Sequence, residues 1–250
     1  ASSTGNVTIG SIATSENIRI VAGQNINTGA ITVGPTETAG TVAAQQISEP
    51  TNPIPTVNLD AQNEIDVESI DAPAATIALR SSADLTTGNL SGGAVDVNSD
   101  RGNIDVGDTA STGNINLRGA GNVDSGNLRG EGVNVNSSGG TVITDNINAS
   151  ETVDITARQQ LQTGSINVSP APDGVNRIPA VNLNAQNNII VESVTAPAAS
   201  IVSRVSGDFN AGNLEAATVD INSRGNVITG NINASEIVSI LAGGQIRTEE

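Results

Sequence analysis

The 250-residue chain has no cysteine, methionine, tryptophan, tyrosine or histidine, a single phenylalanine, and ten arginines but no lysine. Without cysteine there is neither a disulfide framework nor a thiolate metal site, although secretion stays open. No stretch is long and apolar enough for a signal peptide or a membrane span. The absence of methionine marks the chain as a processed or excised piece of a longer polypeptide. A formal charge of −16, spread along the chain with no basic patch to offset it, disfavours nucleic acid and membrane insertion. The near-absence of aromatics excludes the wide core of an ordinary globular domain.

What is abundant is Val, Ile, Leu and Ala, set among Gly, Asn, Ser and Thr. Such a mixture suits a narrow core and many tight turns. Scarce aromatics are also a mark of disorder. Against that, only 14% of residues are charged and the apolar residues recur regularly.

The recurrence is an internal repeat. The apolar residues that precede Thr-Gly-like corners are Val7, Ile26, Ile65, Leu85, Ile104, Val123, Val142, Leu161, Ile189, Phe209, Val227 and Ile246. Their steps are 19, 39, 20, 19, 19, 19, 19, 28, 20, 18 and 19 residues. Two steps are long because they carry extra segments; without those the period is about 19 residues. Five residues after nearly every anchor stands a second apolar residue, from Ile12 to Ile232, with Thr109 the exception. An alternating pair such as Val95/Val97, Ile115/Leu117 or Val219/Ile221 follows, broken once by Ser203. Alternation at period two is the strand signature, so each unit carries three short strands separated by polar corners.

A unit this short is best satisfied by a coil whose strands pair in parallel with those of the next coil, about 4.8 Å along the axis. The sequence therefore predicts an all-β parallel β-solenoid of about 12 coils, roughly 55–60 Å long. Residues 1–250 form a single array in this reading, with loop insertions at 34–56 and 169–180 leaving one corner, six coils apart. Residues 57–90 recur as 181–214, so coils one to four are copied as coils seven to ten.

Three finer expectations follow. The polar residue before each anchor (Asn6, Asn25, Glu64, Asp84, Asn103, Asn122 and onward) forms a hydrogen-bonded ladder along the axis. Glycines three residues after the anchor, among them Gly10, Gly88, Gly126 and Gly212, mark a corner that needs positive φ. Thr28, Thr87, Thr144, Thr163, Thr229 and Thr248, two after the anchor, point inward with it, which argues against an ice-binding threonine ladder.

The phrases TGNINLRGAGNVDSGNL (112–128) and VITGNINASEIVSILAGGQI (227–246) resemble the 19-residue repeats of filamentous haemagglutinin-like large exoproteins of two-partner secretion, the cyanobacterial type above all. The resemblance covers the whole chain. It implies a right-handed parallel β-helix, export across the outer membrane of a Gram-negative bacterium through a partner pore, and a secreted, extracellular place at the cell surface. The family's NPNG-type secretion motif is absent, Asn52-Pro53 being followed by Ile54, as suits an internal segment. Members' binding activities do not carry over, for want of a matching motif.

No site residue emerges, whether catalytic, cofactor-binding or metal, and no cofactor is expected. Asp66 and Glu68 suggest an acid–base pair, but Asp66 becomes Ile190 in the second copy and no histidine, lysine or sugar-stacking aromatic accompanies them. Asp96, Asn116, Asn134, Asp154, Asn182 and Asp220 form an outward row of oxygens suited to Ca²⁺. The calcium nonapeptide is missing, however, and asparagines between acids simply separate like charges. Sequons such as Asn148-Ala149-Ser150 are explained by composition. The expected role is structural rather than enzymatic: a secreted stalk or fibre segment acting in adhesion or extracellular matrix and filament formation. Its expected partners are other coils or subunits end to end, and surface or matrix glycans. The alternative is a carbohydrate-binding or carbohydrate-cleaving β-helix.

Overall fold

A computed structural model describes residues 2–34, 54–169 and 179–248. These residues form 26 strands in one continuous sheet, with no helix among them. All the pairings are parallel, and the strands wind into a β-solenoid of about 11 turns of about 19 residues.

The anchors stack as their spacing predicts. Val7 pairs with Ile26, Ile26 with Ile65, and Ile65 with Leu85. The column then runs through Ile104, Val123, Val142 and Leu161 to Ile189, Phe209, Val227 and Ile246. The second apolar column is equally unbroken, from Ile12 and Ile31 to Leu214 and Ile232, and takes Thr109 in its stride. The alternating pairs make the third wall, from Ile18 and Ile20 to Val219 and Ile221. Backbone bonds close each step: the Val123 N–H donates to the Thr141 carbonyl at 2.9 Å and the Val227 N–H to that of Gln245 at 2.8 Å. Each coil thus satisfies the polar backbone of the one before it.

The core is one cylinder of Val, Ile, Leu and Ala. Phe209, the sole aromatic, is fully buried in the anchor column. Ser203 occupies the place that Leu183 and Ile221 fill one coil away on either side. It is fully buried, and its hydroxyl has no hydrogen-bond partner.

Two expectations are corrected. The second and third strands are separate only in some coils. Elsewhere they fuse into single runs such as Ile70–Ser81 and Leu90–Ser99, and in Ile189–Val205 the anchor strand joins them as well. The bend between them is absorbed by register shifts, at Gly92/Ala94, Gly130/Gly132 and Ala196/Ser200. A bulge turns the chain by leaving a few residues unpaired while the strand resumes beyond them, and Gly92, Gly130 and Ala196 stand where the bend begins. The second correction concerns glycine. None of the corner glycines has a positive φ; what most of them provide, Gly10 excepted, is space. A Cβ at Gly88 would lie 2.1 Å from the Glu68 carbonyl oxygen, and one at Gly212 would lie 2.0 Å from that of Glu192.

Both insertions open at the same corner. Val33 and Val168 end second strands, and Thr56 and Ala180 begin or join third strands of the same coils. Ile31 and Ile166 belong to one column, six coils apart, or about 29 Å. The insertions themselves, 35–53 and 170–178, lie outside the described residues.

Candidate functional site

The polar surface is built from columns, because every residue has a counterpart one coil on. The ladder before the anchor forms, with a partner different from the expected one. Side-chain oxygens accept chiefly from the backbone N–H of the next coil: Asn103 donates to Asp84 Oδ1 at 2.7 Å, Asn122 to Asn103 Oδ1 at 2.8 Å, and Asn226 to Asp208 Oδ1 at 2.7 Å. Only an oxygen is needed, which is why Asp serves as well as Asn. A side-chain amide joins in at some steps, as from Asn103 Nδ2 to Asp84.

A second ladder, four residues after the anchor, was not anticipated. Asp108 N–H donates to Asn89 Oδ1 at 3.0 Å, Asn127 N–H to Asp108 Oδ1 at 2.8 Å, and Ser165 N–H to Asn146 Oδ1 at 2.9 Å. The two bonds from Asn127 hold the Asp108 carboxyl below the usual carboxylate range. The sequence signal was present in the Asn, Asp or Ser that stands before most of the second apolar residues, written Gly-Asn before Leu90, Leu128, Leu214 and Ile232.

Beside this ladder runs an open groove of about 470 Å³, crossing four coils. Its polar lining is Ser69, Asp71, Asn89, Ser91, Asp108, Thr109, Asn127 and Arg129. Asp71, Ser91, Ala110 and Arg129 stand in register, so a carboxylate and a guanidinium face outward about 14 Å apart along the axis. The groove offers hydrogen-bond donors and acceptors.

Asp66 accepts from Asn27 Nδ2 at 3.1 Å, a bond between coils. Glu68 lies in the close step beneath Gly88. The oxygen row Asp96, Asn116, Asn134, Asp154 and Asn182 is one column as expected, but Val202 separates Asn182 from Asp220. Its acids have protein partners: Arg118 lies 3.6 Å from Asp96, Arg204 lies 3.8 Å from Asp220, and Asn182 Nδ2 donates to Asp154. No three or more His, Cys, Asp or Glu side chains are grouped so as to hold a metal ion among the described residues. The inward threonines are buried from Thr28 to Thr229, while Thr248 in the last described coil is exposed.

One outward column escaped notice. It consists of the residue after each anchor and changes character along the rod. Thr8, Asn27, Asp66, Thr86, Asp105 and Asp124 occupy its first half. Ile143, Gln162, Ile190, Asn210, Ile228 and Arg247 follow. Burial, and the charges of Asp105 and Asp145, push the Asp124 carboxyl above its usual range. The isoleucines are 42%, 38% and 39% exposed, an outward apolar ridge on alternate coils.

No helix among the described residues is long and apolar enough to cross a membrane. No protein-family model, curated protein or solved structure matches the chain.

Proposed function

We propose that the chain is a structural rod: a stalk or fibre segment of a secreted exoprotein, displayed at the surface of a Gram-negative bacterium and acting in adhesion or extracellular matrix. The observation that supports it is the unbroken stacking of twelve anchors in register from Val7 to Ile246. Such continuous parallel pairing makes a stiff spacer whose work is mechanical. The repeats' likeness to exported haemagglutinin-type proteins supplies the setting. Both insertions root at one corner, about 29 Å apart, so the rod carries two departures from its repeat on one side of a regular surface.

Immunogold labelling of intact producing cells, with antibody raised against this chain, tests the setting. Label along surface filaments or in shed matrix is the expected result. Antigen confined to the cytosol would overturn it. Deleting 35–53 and 170–178 together should reduce adhesion while the rod stays folded; unchanged adhesion would remove the insertions from the proposal.

A second reading, carbohydrate binding, is favoured by the groove at Asp71, Asn89 and Arg129. Asp71 and Arg129 suit a sugar's hydroxyls, over a floor that is mostly apolar. A glycan array with the wild-type chain and Arg129→Ala separates the two, since a rod without lectin activity gives no Arg129-dependent signal.

A further inference from the structure

The isoleucine ridge lies on the face built by the anchor strands, the first face, and has an internal symmetry that the repeat does not require. Read along the axis, the column is Asp124, Ile143, Gln162, Ile190, Asn210, Ile228, Arg247. About Ile190 it is palindromic in chemistry: amide faces amide, isoleucine faces isoleucine, and at the ends an acid faces a base. From this register we infer that the first face is an isologous interface, on which a second copy of the chain packs antiparallel with Ile190 on the two-fold axis.

The occupant is set by complementarity. With the two-fold in the plane of the interface, Ile143 meets Ile228 of the second copy, Gln162 meets Asn210, and Asp124 meets Arg247. This is the self-complementary pattern that a two-fold demands. The carboxyl of Asp124, pressed by Asp105 and Asp145, gains a counter-charge. The flanking ladders also meet themselves in reverse order. Asn188 then faces its own copy, Gln160 faces Asp208, and Asn146 faces Asn231, all hydrogen-bonding groups. Glu192, on the same coil as Ile190 and so also on the axis, meets its own copy as the one like-charge contact. Parallel packing is far worse, because it sets Asp66, Asp105 and Asp124 against themselves. It also gives up both Asp124–Arg247 contacts.

The overlap spans seven coils, about 30 Å, on a face about 15 Å wide including its ladders. That buries about 450 Å² per partner, or about 900 Å² in all, the size of a weak interface. A dissociation constant on the order of 100 μM suits that size. Lateral pairing is distinct from end-to-end contact and does not depend on where the rod resides.

The chain has no cysteine, so single cysteines report the geometry directly. Ile190→Cys should form a disulfide-linked dimer under mild oxidation. Ile143→Cys alone should not, but should cross-link to Ile228→Cys when differently tagged chains are mixed. Thr86→Cys, in the same column but beyond the overlap, is the control. Each variant should keep the wild-type circular dichroism of a β protein. In sedimentation equilibrium without oxidant, Ile190→Asp should weaken self-association at least tenfold, and Glu192→Gln should strengthen it. Self-linking of Ile143→Cys at the rate of Ile190→Cys would overturn the antiparallel register. Linking of Thr86→Cys at that rate, or a wild-type chain still monomeric at millimolar concentration, would overturn the interface.

Discussion

Replacing Val123 by alanine tests the stacking of coils at its middle. Val123 is fully buried, paired with Ile104 on one side and Val142 on the other. The change removes two methyl carbons, worth about 1.6 kcal/mol at roughly 0.8 kcal/mol per carbon. The neighbours are held by backbone pairing on both sides and relax little. A residual void of about 40 Å³ therefore adds about 1 kcal/mol, for a total near 2.5 kcal/mol. In a solenoid this loss is local, because each coil contacts only its neighbours. Hydrogen exchange followed by mass spectrometry reads it peptide by peptide. Peptides covering Ile104–Val106, Val123–Ser125 and Val142–Thr144 should exchange about 60-fold faster, the factor that 2.5 kcal/mol represents. Peptides covering Val227–Thr229, five coils away, should not change. The matched substitution Ile246→Ala should cost less than about 1 kcal/mol, because Ile246 is 52% exposed. An acceleration below threefold at Val123, or one shared equally by every coil, would refute coil-by-coil stacking.

Three further outcomes follow from particular atoms. Gly88→Ala should destabilise by about 1–3 kcal/mol in urea melts, since its Cβ would sit 2.1 Å from the Glu68 oxygen, whereas Gly10→Ala, with nothing within 4 Å, should be neutral or slightly stabilising. Ser203→Ala should stabilise by about 1 kcal/mol, because it removes a buried hydroxyl that has no partner. Asp124→Asn should raise the melting temperature at pH 7 by removing a partly desolvated carboxylate and, with it, the repulsion from Asp105 and Asp145. The advantage should fade on acidification, because the wild-type folded pKa is raised: protonation stabilises the fold as pH falls through it, fully so below the unfolded value near 3.8. A constant advantage from pH 7 to pH 3 would show that charge is not the cause.

The anchors were legible because a 19-residue spacing has few physical solutions once the apolar residues alternate. Stacking then fixed the register, and even Thr109 and Ser203 kept their places despite the wrong polarity. The glycines were misjudged for a reason of scale. A corner glycine is compatible with positive φ or with close approach, and only the position of the adjacent coil distinguishes them. At Gly88 the adjacent Glu68 carbonyl decides it. The fused strands were illegible because a bulge at Gly92 or Gly130 looks in sequence like a turn. The expected ladder was visible as a column of Asn and Asp, but its true donor, a backbone N–H, belongs to every residue and leaves no compositional trace. The isoleucine ridge could have been read from the residue after each anchor. It was hidden because a single exposed isoleucine is unremarkable in any one repeat.

Distances along one outward column test the stacked rod most directly. Paired cysteines at Thr86 and Gln162, Thr86 and Asn210, and Thr8 and Asn210 carry spin labels outward from the same face, and double electron–electron resonance measures their separations. Dilution with unlabelled chain removes contributions from neighbouring molecules. The column places these pairs four, six and nine coils apart, and the separations should centre near 19, 29 and 43 Å, rising by about 4.8 Å per coil. Separations that fail to grow in proportion to the number of coils, or that fold back so that Thr8 lies nearer Asn210 than Thr86 does, would contradict a continuous parallel solenoid.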